Sequence, residues 1–249
     1  MRLNKLLNKY TTIKKIHLNQ LKNKTFAIDL SIFFYKFIRS KNNCINIEKN
    51  YLLDFEKQIN KLHKYKIIPI YIFDGKPNPE KQITLKYRKE VRLSIKEKLQ
   101  KNPYKSELKK KLIIFNHTYK NELIHLFNDK QIKYILAKGE ADDECIDLFK
   151  NKQIDGVFTE DNDILLGKAT VYKNLNNYND YVYEYNINNI LKQLNMSYKD
   201  FISICILAGT SYSKKWCDIF DAYALYLYNQ LPKIPYTRIP DMYKIIYNI

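Results

Sequence analysis

Acidic residues recur in this sequence directly after short apolar runs. Asp29 closes the run Thr25–Asp29, Asp74 closes the run Ile67–Asp74, and a third run leads into Thr159-Glu-Asp-Asn-Asp163. Carboxylate oxygens are the ligands that Mg²⁺ prefers, and Mg²⁺ keeps several waters when bound. Two such ions about 4 Å apart can activate a water and stabilise the leaving oxygen in phosphodiester hydrolysis. The candidate ligands are Asp29, Asp74, Glu140, Asp142, Asp161 and Asp163.

Each acid taken alone has a second interpretation. An Asp or Glu at the start of a helix is stabilised by capping and by the helix dipole, and Asp142 by itself fits that role. Six carboxylates gathered in one place, however, repel one another unless cations neutralise them. The complete set therefore favours a metal site.

The elements that must position these acids follow from the apolar pattern. Helical spacing separates the apolar runs, as in Tyr51–Tyr65, where Leu52, Phe55, Ile59 and Leu62 recur at intervals of three and four. Strands that alternate with helices predict an α/β fold with a mainly parallel central sheet flanked by helices. Ligands bind beyond the carboxyl ends of such strands, which would place the acids along one rim. The predicted strands are Thr25–Asp29, Ile67–Asp74, Ile132–Ala137, Ile154–Thr159 and Thr170–Leu175.

A basic stretch from Lys81 to about Lys130 carries few strand signals and is interrupted near Asn102 and Pro103. It predicts two basic helices, joined by a turn, that project from the sheet. A surface hairpin that only covers the core is the alternative interpretation.

Composition narrows the class of protein. The chain has 43 Lys+Arg against 26 Asp+Glu, a net charge of +17, which favours a polyanionic partner such as nucleic acid. An AT-rich genome, which encodes much Lys, Asn, Ile and Tyr, would explain part of this charge. We find no apolar run of 18 residues, and therefore expect neither a membrane span nor a membrane partner. Four widely separated cysteines indicate a reducing, intracellular compartment rather than disulfides or zinc. The length fits one domain over residues 1–249.

Five segments carry a joint pattern in chain order: Phe26–Tyr35 (FAIDLSIFFY), Ile72–Pro77 (IFDGKP), Lys138–Asp142 (KGEAD), Thr159–Asp163 (TEDND) and Phe201–Tyr212 (FISICILAGTSY). Together they resemble the flap endonuclease/XPG superfamily of structure-specific 5′ nucleases. The resemblance implies a PIN-like 5′ nuclease fold. It also implies that the six acids hold two Mg²⁺ ions, for which Mn²⁺ can substitute, and that Asp74 and Asp161 act in catalysis.

The resemblance also assigns two basic residues to the scissile phosphate. Lys81 and Arg88 lie seven and fourteen residues beyond Asp74, and a spacing of seven is about two helical turns, so both project from one face. Cations there would offset the charge that develops on the phosphoryl oxygens. The stretch of residues 81–130 corresponds to the family's helical arch.

Tyr35 falls six residues after Asp29, where the family has an aromatic residue that stacks on a base. A core tyrosine is the alternative in a chain with 22 tyrosines.

Three departures from the family pattern stand out. Arg2 replaces a glycine near the active site. Ser211 replaces the last acid, and because a hydroxyl is a weaker Mg²⁺ ligand, one metal position should be weakened. Asp218 lies seven residues on and could substitute, although the spacing does not require it. The third departure is a reduced region of about residues 213–249, without the Gly-rich helix–two-turn–helix that grips duplex DNA. Lys214 and Lys215 are its candidate phosphate contacts.

We therefore expect a metal-dependent nuclease that cuts flapped or branched DNA in replication, repair or recombination. Two alternatives keep the fold: a nuclease that cuts RNA, and a nucleic-acid-binding homologue with impaired catalysis. No motif for binding a sliding clamp is recognisable. The nucleus and a cytoplasmic viral replication site both stay open as the location.

Overall fold

A mixed sheet forms the centre of the chain in the computed structural model, which describes residues 3–40, 47–102, 104, 106–176, 178–210 and 215–232. Seven strands fall within these ranges: β1 (Lys14–His17), β2 (Thr25–Asp29), β3 (Ile68–Phe73), β4 (Lys133–Leu136), β5 (Gly156–Phe158), β6 (Val171–Lys173) and β7 (Tyr181–Tyr185).

The strand order is β1-β7-β6-β5-β2-β3-β4. From β6 to β4 all neighbours pair in parallel, whereas β7 pairs antiparallel with both β6 and β1. The prediction of a mainly parallel α/β sheet is confirmed, and each of the five predicted strands is present. The two antiparallel strands, β1 and β7, were not predicted.

Eleven α-helices lie in the same described ranges. They are α1 (Leu3–Tyr10), α2 (Leu30–Ser40), α3 (Ile47–Lys64), α4 (Gln82–Lys101), α5 (Ser106–Leu112), α6 (His117–Asp129), α7 (Ala141–Lys150), α8 (Asp163–Leu166), α9 (Ile187–Leu194), α10 (Tyr198–Ala208) and α11 (Ile219–Leu227). None of these described helices has the length and apolar character needed to span a membrane.

Helices cover both faces of the sheet. On β2, Phe26 and Ile28 belong to the apolar cluster formed with α2, α3 and α6, while Ala27 belongs to the cluster formed with α1 and α7 to α11. Successive strand residues point to opposite faces, so a strand buried on both sides must be apolar at almost every position. This explains why Thr25–Asp29 is a continuous apolar run that ends in a single acid.

The prediction of two helices between residues 81 and 130 was wrong in number. Three helices occupy this stretch, and the last of them, α6, buries Leu123 and Phe127 in the core. The physical reason is that α6 has an apolar face, so it packs against the sheet layer. By contrast, α4 exposes most of its length, including Tyr87 and Leu93.

The expectation of thiols without disulfides is confirmed where the structure describes them. Cys145, Cys205 and Cys217 are free. Cys44 lies outside the described residues.

Candidate active site

The carboxyl ends of three neighbouring parallel strands meet at one edge of the sheet. β2 lies between β5 and β3, and Asp29, its last residue, pairs with Ile72 of β3. Asp74 follows directly after β3, and Thr159 follows directly after β5. The structure therefore brings three acid-bearing segments, which are up to 130 residues apart in the chain, to one rim.

Asp29 lies deepest in this rim, with 4% of its surface exposed. Its Oδ1 accepts a hydrogen bond from the N–H of Ile32 at 3.2 Å, and its Oδ2 accepts one from the hydroxyl of Thr159 at 3.2 Å. Burial, followed by the charges of Asp74 and Asp161, raises the pKa of Asp29 to about 7, although the two hydrogen bonds act in the opposite direction. A nearby cation would favour the charged form of Asp29 and so oppose this rise in pKa.

Asp74 joins the end of β3 to the start of α7. Its Oδ1 accepts the N–H of Ala141 at 2.9 Å, and its Oδ2 accepts the hydroxyl of Ser31 at 2.5 Å. The carboxylate thus lies at a helix N-terminus, where free N–H groups and the dipole favour a negative charge. Asp74 is nevertheless an exposed residue, so its carboxylate stays accessible from solvent.

Glu140 occupies the N-cap position of α7, but its side chain makes no capping hydrogen bond. Instead its Oε1 accepts the N–H of Asn78 at 3.1 Å, and its Oε2 accepts the ammonium of Lys81 in a short ion pair. The capping interpretation therefore does not account for this acid. Its carboxylate faces the segment that follows β3.

Asp142 lies in the first turn of α7. Burial, followed by the charges of Asp29 and Asp161, raises the pKa of Asp142 well above its usual value. Lys81 acts against this shift, and Asp163 adds to it. Repulsion of this kind arises when several carboxylates share one desolvated space. The acids of β2, α7 and the segment after β5 therefore form one electrostatic unit.

The segment Thr159–Asp163, here named the acid loop, is held by its own hydrogen bonds. The N–H of Asp161 donates to the Thr159 hydroxyl at 3.1 Å. The Oδ1 of Asp161 accepts the N–H groups of Asn162 at 2.6 Å and of Asp163 at 3.1 Å. Asp163 is 1% exposed and begins α8. The loop is thus a tight turn that carries two of the predicted ligands.

Backbone pairing continues past the strands on the other side of the rim. The N–H of Gly75 donates to the carbonyl of Gly139 at 2.7 Å, and the N–H of Lys76 donates to the carbonyl of Lys138 at 3.1 Å. A Cβ on Gly75 would lie 2.0 Å from the carbonyl oxygen of Ala137. Glycine is therefore required at this position because two backbones meet there, and the contact fixes Asp74 relative to Glu140.

The two predicted basic residues differ in position. Lys81 is half-buried in the rim. Burial lowers its pKa, but the hydrogen bond with Glu140 and the charges of Asp142, Glu140 and Asp163 outweigh this effect, so its pKa is raised and it carries its charge. Arg88 lies on the exposed surface of α4, seven residues further on. The structure thus brings Lys81, and not the Arg88 side chain, into contact with the carboxylates.

Tyr35 is half-buried on α2. Its hydroxyl accepts the N–H of Phe115 at 3.2 Å, and the guanidinium of Arg39 lies 5.4 Å from the centre of its ring. The phenol therefore ties α2 to the segment between α5 and α6. This contact was not predicted, and stacking of Tyr35 on a base stays a prediction.

A buried lysine that the sequence interpretation missed lies behind the acid loop. Lys173, at the end of β6, donates to the side-chain oxygens of Asn4 (3.1 Å) and Asn162 and to the carbonyl of Glu160 (3.2 Å). Burial lowers its pKa to about 8, and the acid-loop carboxylates counteract part of this shift. One sequence signal existed: the strand period places Lys173 on the same face as Val171, a core residue.

Several predicted residues lie in the C-terminal part of the chain. Ser211 and Lys214 lie outside the described residues, as does Arg2. Lys215 is exposed, and its ammonium is 3.7 Å from a carboxylate oxygen of Asp218. Asp218 in turn is the N-cap of α11, in a capping box. Its carboxylate therefore has a capping role at the start of α11.

The donor set can be tested for its fit to a divalent cation. All candidate ligands are carboxylates, and two of them bear strongly raised pKa values because they are desolvated and close to like charges. Among the described residues, no three His, Cys, Asp or Glu side chains are arranged so that together they could hold one ion. An open rim of oxygen donors that leaves coordination positions to water fits Mg²⁺ or Mn²⁺ better than zinc.

Comparison with known proteins places this geometry in context. The family model of the XPG N-terminal domain matches residues 2–95, and that of the XPG I-region matches residues 131–211. Flap endonuclease 1 of Entamoeba histolytica is 28% identical over 98% of the chain, and the chain spans 70% of that protein. Flap endonuclease 1 of Methanococcus aeolicus is 34% identical over 80% of the chain, which spans 66% of that protein.

Solved structures share the fold. The catalytic core of Rad2 in complex with a DNA substrate superposes with a TM-score of 0.74 and 24% identity, covering 91% of this chain and 66% of that one. The Holliday junction-resolving enzyme GEN1, in complex with product DNA, Mg²⁺ and Mn²⁺, superposes with a TM-score of 0.62 and 13% identity, covering 98% of this chain and 54% of that one.

Proposed function

The chain belongs to the flap endonuclease/XPG superfamily, and we propose that it is a nuclease that hydrolyses phosphodiester bonds in flapped or branched DNA with the help of bound divalent cations. The observation that carries this proposal is the convergence of carboxylates from β2, β3, α7 and the acid loop at the carboxyl edge of the sheet, with Lys81 among them. The net charge of +17 suits a polyanionic substrate.

The proposed ligands for the cations are the six predicted acids: Asp29, Asp74, Glu140, Asp142, Asp161 and Asp163. Bound Mg²⁺ would supply an activated water and charge compensation for the leaving oxygen. The protein would supply the orientation of the carboxylates, since each side of the rim is fixed by backbone hydrogen bonds to Asp29, Asp74 and Asp161. The chain lacks an acid at Ser211, so we propose two cation positions of unequal affinity.

Lys81 would contact the scissile phosphate. Its ammonium is already held within the carboxylates by Glu140, so a phosphate entering the rim would meet a positive charge at short range. A preorganised cation of this kind stabilises negative charge that develops on phosphoryl oxygens. Arg88 would join Lys81 at the scissile phosphate. The other exposed basic residues of α4 would contact the strand further from the cut, and Lys214 and Lys215 would contact the duplex backbone.

The test of this function is cleavage of labelled substrates by the purified chain. Flapped, gapped, single-stranded and double-stranded DNA, together with RNA of the same sequence, are incubated with Mg²⁺, with Mn²⁺ and with EDTA. We expect cleavage near the branch of flapped DNA with either metal and none with EDTA.

Other outcomes identify the alternatives. Cleavage of RNA in preference to every DNA substrate would replace the proposed substrate while keeping the metal chemistry. Retained DNA binding without cleavage of any substrate, in either metal, would contradict the proposed activity and identify a binding protein.

A further inference from the structure

Lys173 is a buried cation to which the proposed chemistry assigns no role. It is 4% exposed, and its ammonium donates to three oxygens: the side chains of Asn4 and Asn162 and the carbonyl of Glu160. An ammonium has three donors, so its hydrogen-bonding capacity is matched by these partners. Its nitrogen also lies 4.8 Å from the ring centre of Tyr185.

Two of the three acceptors belong to the acid loop and flank one proposed ligand. Glu160 and Asn162 are the immediate neighbours of Asp161, and Asn162 also precedes Asp163. The same lysine therefore holds the loop backbone on one side of Asp161 and a side chain on the other. The third acceptor, Asn4, lies on α1 and joins this group to the core beneath the sheet.

The loop is held from the other side through Glu160. The Oε1 of Glu160 accepts the ammonium of Lys36 at 2.6 Å and the N–H of Asn174 at 3.3 Å. Lys36 lies on α2, and Asn174 follows Lys173 directly. The acid loop is thus placed between two lysines, one buried and one half-exposed.

Burying an ammonium is costly, and an apolar side chain of similar length usually gives equal or greater stability. A lysine at this position is therefore explained better by what it holds than by what it adds to the core. The groups it holds flank the acids, and its charge interacts with those of Glu160, Asp161 and Asp163. Some groups do not touch the metal but hold a metal ligand in its orientation. Their loss commonly weakens metal affinity by about 10- to 100-fold.

We infer that Lys173 is a positioning residue, which fixes the acid loop so that Asp161 and Asp163 present their carboxylates to the cations and which offsets part of their mutual repulsion. This inference rests on the proposed function, because it takes these two acids as metal ligands. It assigns Lys173 no contact with substrate.

The test compares Lys173→Met, Lys173→Arg and a matched control, Lys61→Met. Lys61 is half-buried where Lys173 is buried, but its pKa is likewise lowered by burial, and it donates to the carbonyls of Leu175 (3.0 Å) and Asn179 (3.1 Å), in a loop that carries no proposed ligand. Mn²⁺ affinity is measured from the electron paramagnetic resonance signal of the free ion. Amide hydrogen exchange is measured on the metal-free protein, and the melting temperature is recorded for each variant.

We expect Lys173→Met to weaken Mn²⁺ binding about 10-fold or more and to speed amide exchange in the acid loop. Lys173→Arg should restore most of the affinity, since it keeps the charge and the donors. Lys61→Met should lower the melting temperature and speed exchange around residues 175–180, with Mn²⁺ affinity unchanged. If Lys173→Met does not fold, Asn162→Ala removes one acceptor from the loop and should also weaken Mn²⁺ binding.

Two failures are distinguishable. A wild-type protein that binds no Mn²⁺ contradicts the proposed metal-dependent function. A wild-type protein that binds Mn²⁺, with Lys173→Met or Asn162→Ala binding it equally well, overturns only the role of Lys173 and leaves the function standing.

Discussion

Asp161 combines two roles in one side chain. Its Oδ1 accepts two backbone N–H groups of the acid loop, and the carboxylate as a whole adds to the charge that raises the pKa of Asp29 and of Asp142. The first role needs only an oxygen acceptor, whereas the second needs the charge. A substitution that keeps the oxygen and removes the charge separates the two.

Asp161→Asn is that substitution, because the amide oxygen of asparagine can still accept both N–H groups. We expect DNA affinity and melting temperature to stay near those of the wild type, and cleavage in Mg²⁺ to fall by about 10³-fold, equivalent to about 4 kcal/mol of transition-state stabilisation. Single-turnover cleavage and fluorescence anisotropy measure the two quantities.

The matched control is Asp155→Asn. Asp155 also accepts a backbone N–H, from Thr25 at 2.8 Å, but it lies at the opposite end of β5 from the acid loop. Its loss of charge should leave cleavage unchanged. Full activity in Asp161→Asn would show that this carboxylate is not a metal ligand.

At the scale of elements, the rim depends on a close approach of two backbones. Gly75 and Gly139 are joined by a hydrogen bond of 2.7 Å, yet they differ in the space around them. A Cβ on Gly75 would overlap the Ala137 carbonyl at 2.0 Å, whereas a Cβ on Gly139 would meet nothing within 4 Å. The pair offers a test, because a methyl group at Gly75 should displace the backbone and a methyl group at Gly139 should not.

We therefore expect Gly75→Ala to destabilise the protein by about 1–3 kcal/mol and to reduce cleavage, because Asp74 and Glu140 move apart. Gly139→Ala should stay within about 0.5 kcal/mol of the wild type in chemical denaturation. Equal effects of the two substitutions would mean that the backbone contact does not set the geometry of the rim.

The exposed helix α4 supplies the second test at this scale. Lys86, Lys89 and Lys96 are exposed on it, and their replacement by alanine should weaken binding of flapped DNA. Each lost phosphate contact reduces the steepness of the plot of log affinity against log salt by about 0.7–0.9. The slope of the triple variant should therefore be less negative by about 2.

A control triple, Lys24, Lys66 and Lys133 to alanine, removes the same charge from exposed positions next to the amino ends of β2, β3 and β4. Binding measured by anisotropy over a range of salt concentrations should respond less to this control. An equal change of slope in both triple variants would mean that α4 is a surface helix with no specific role in DNA binding.

The sequence predicted some elements and not others for physical reasons. A strand buried on both faces, such as β2, must be a continuous apolar run and is therefore visible. β1, with sequence KKIH, buries only Ile16 and lies at the sheet edge, so tertiary pairing with β7 rather than local pattern defines it. The acids were visible because they follow such runs, whereas the role of Lys173 depends on contacts with residues up to 169 positions away.

At the scale of the whole molecule, the carboxylate rim reduces the stability of the metal-free protein. The pKa of Asp29 rises from 3.8 to about 7, so the folded state holds a proton that the unfolded state releases. Stability from this group is therefore present at low pH and is lost as the pH rises through about 7. The raised pKa of Asp142 acts in the same direction.

The melting temperature of the protein in EDTA should therefore fall as the pH rises from about 5 to about 8. Asp29→Asn should flatten this dependence, because the amide does not titrate. Saturating Mg²⁺ should raise the melting temperature most at the upper end of this pH range, because the carboxylates are ionised there. A ligand at 100 times its Kd stabilises the folded state by about 2.7 kcal/mol. A wild-type curve with the same slope as that of Asp29→Asn would contradict the contribution of this residue.

The strand order has a consequence for how the protein becomes active as it is made. β2 is among the first strands to leave the ribosome, but its neighbour β5 and the acid loop follow about 130 residues later. A nascent chain that ends before Gly156 carries four of the acids, Asp29, Asp74, Glu140 and Asp142, but cannot complete the central parallel pairing between β2 and β5. The six acids can therefore share one rim only after residue 163 has been added, when about two thirds of the 249 residues have been made.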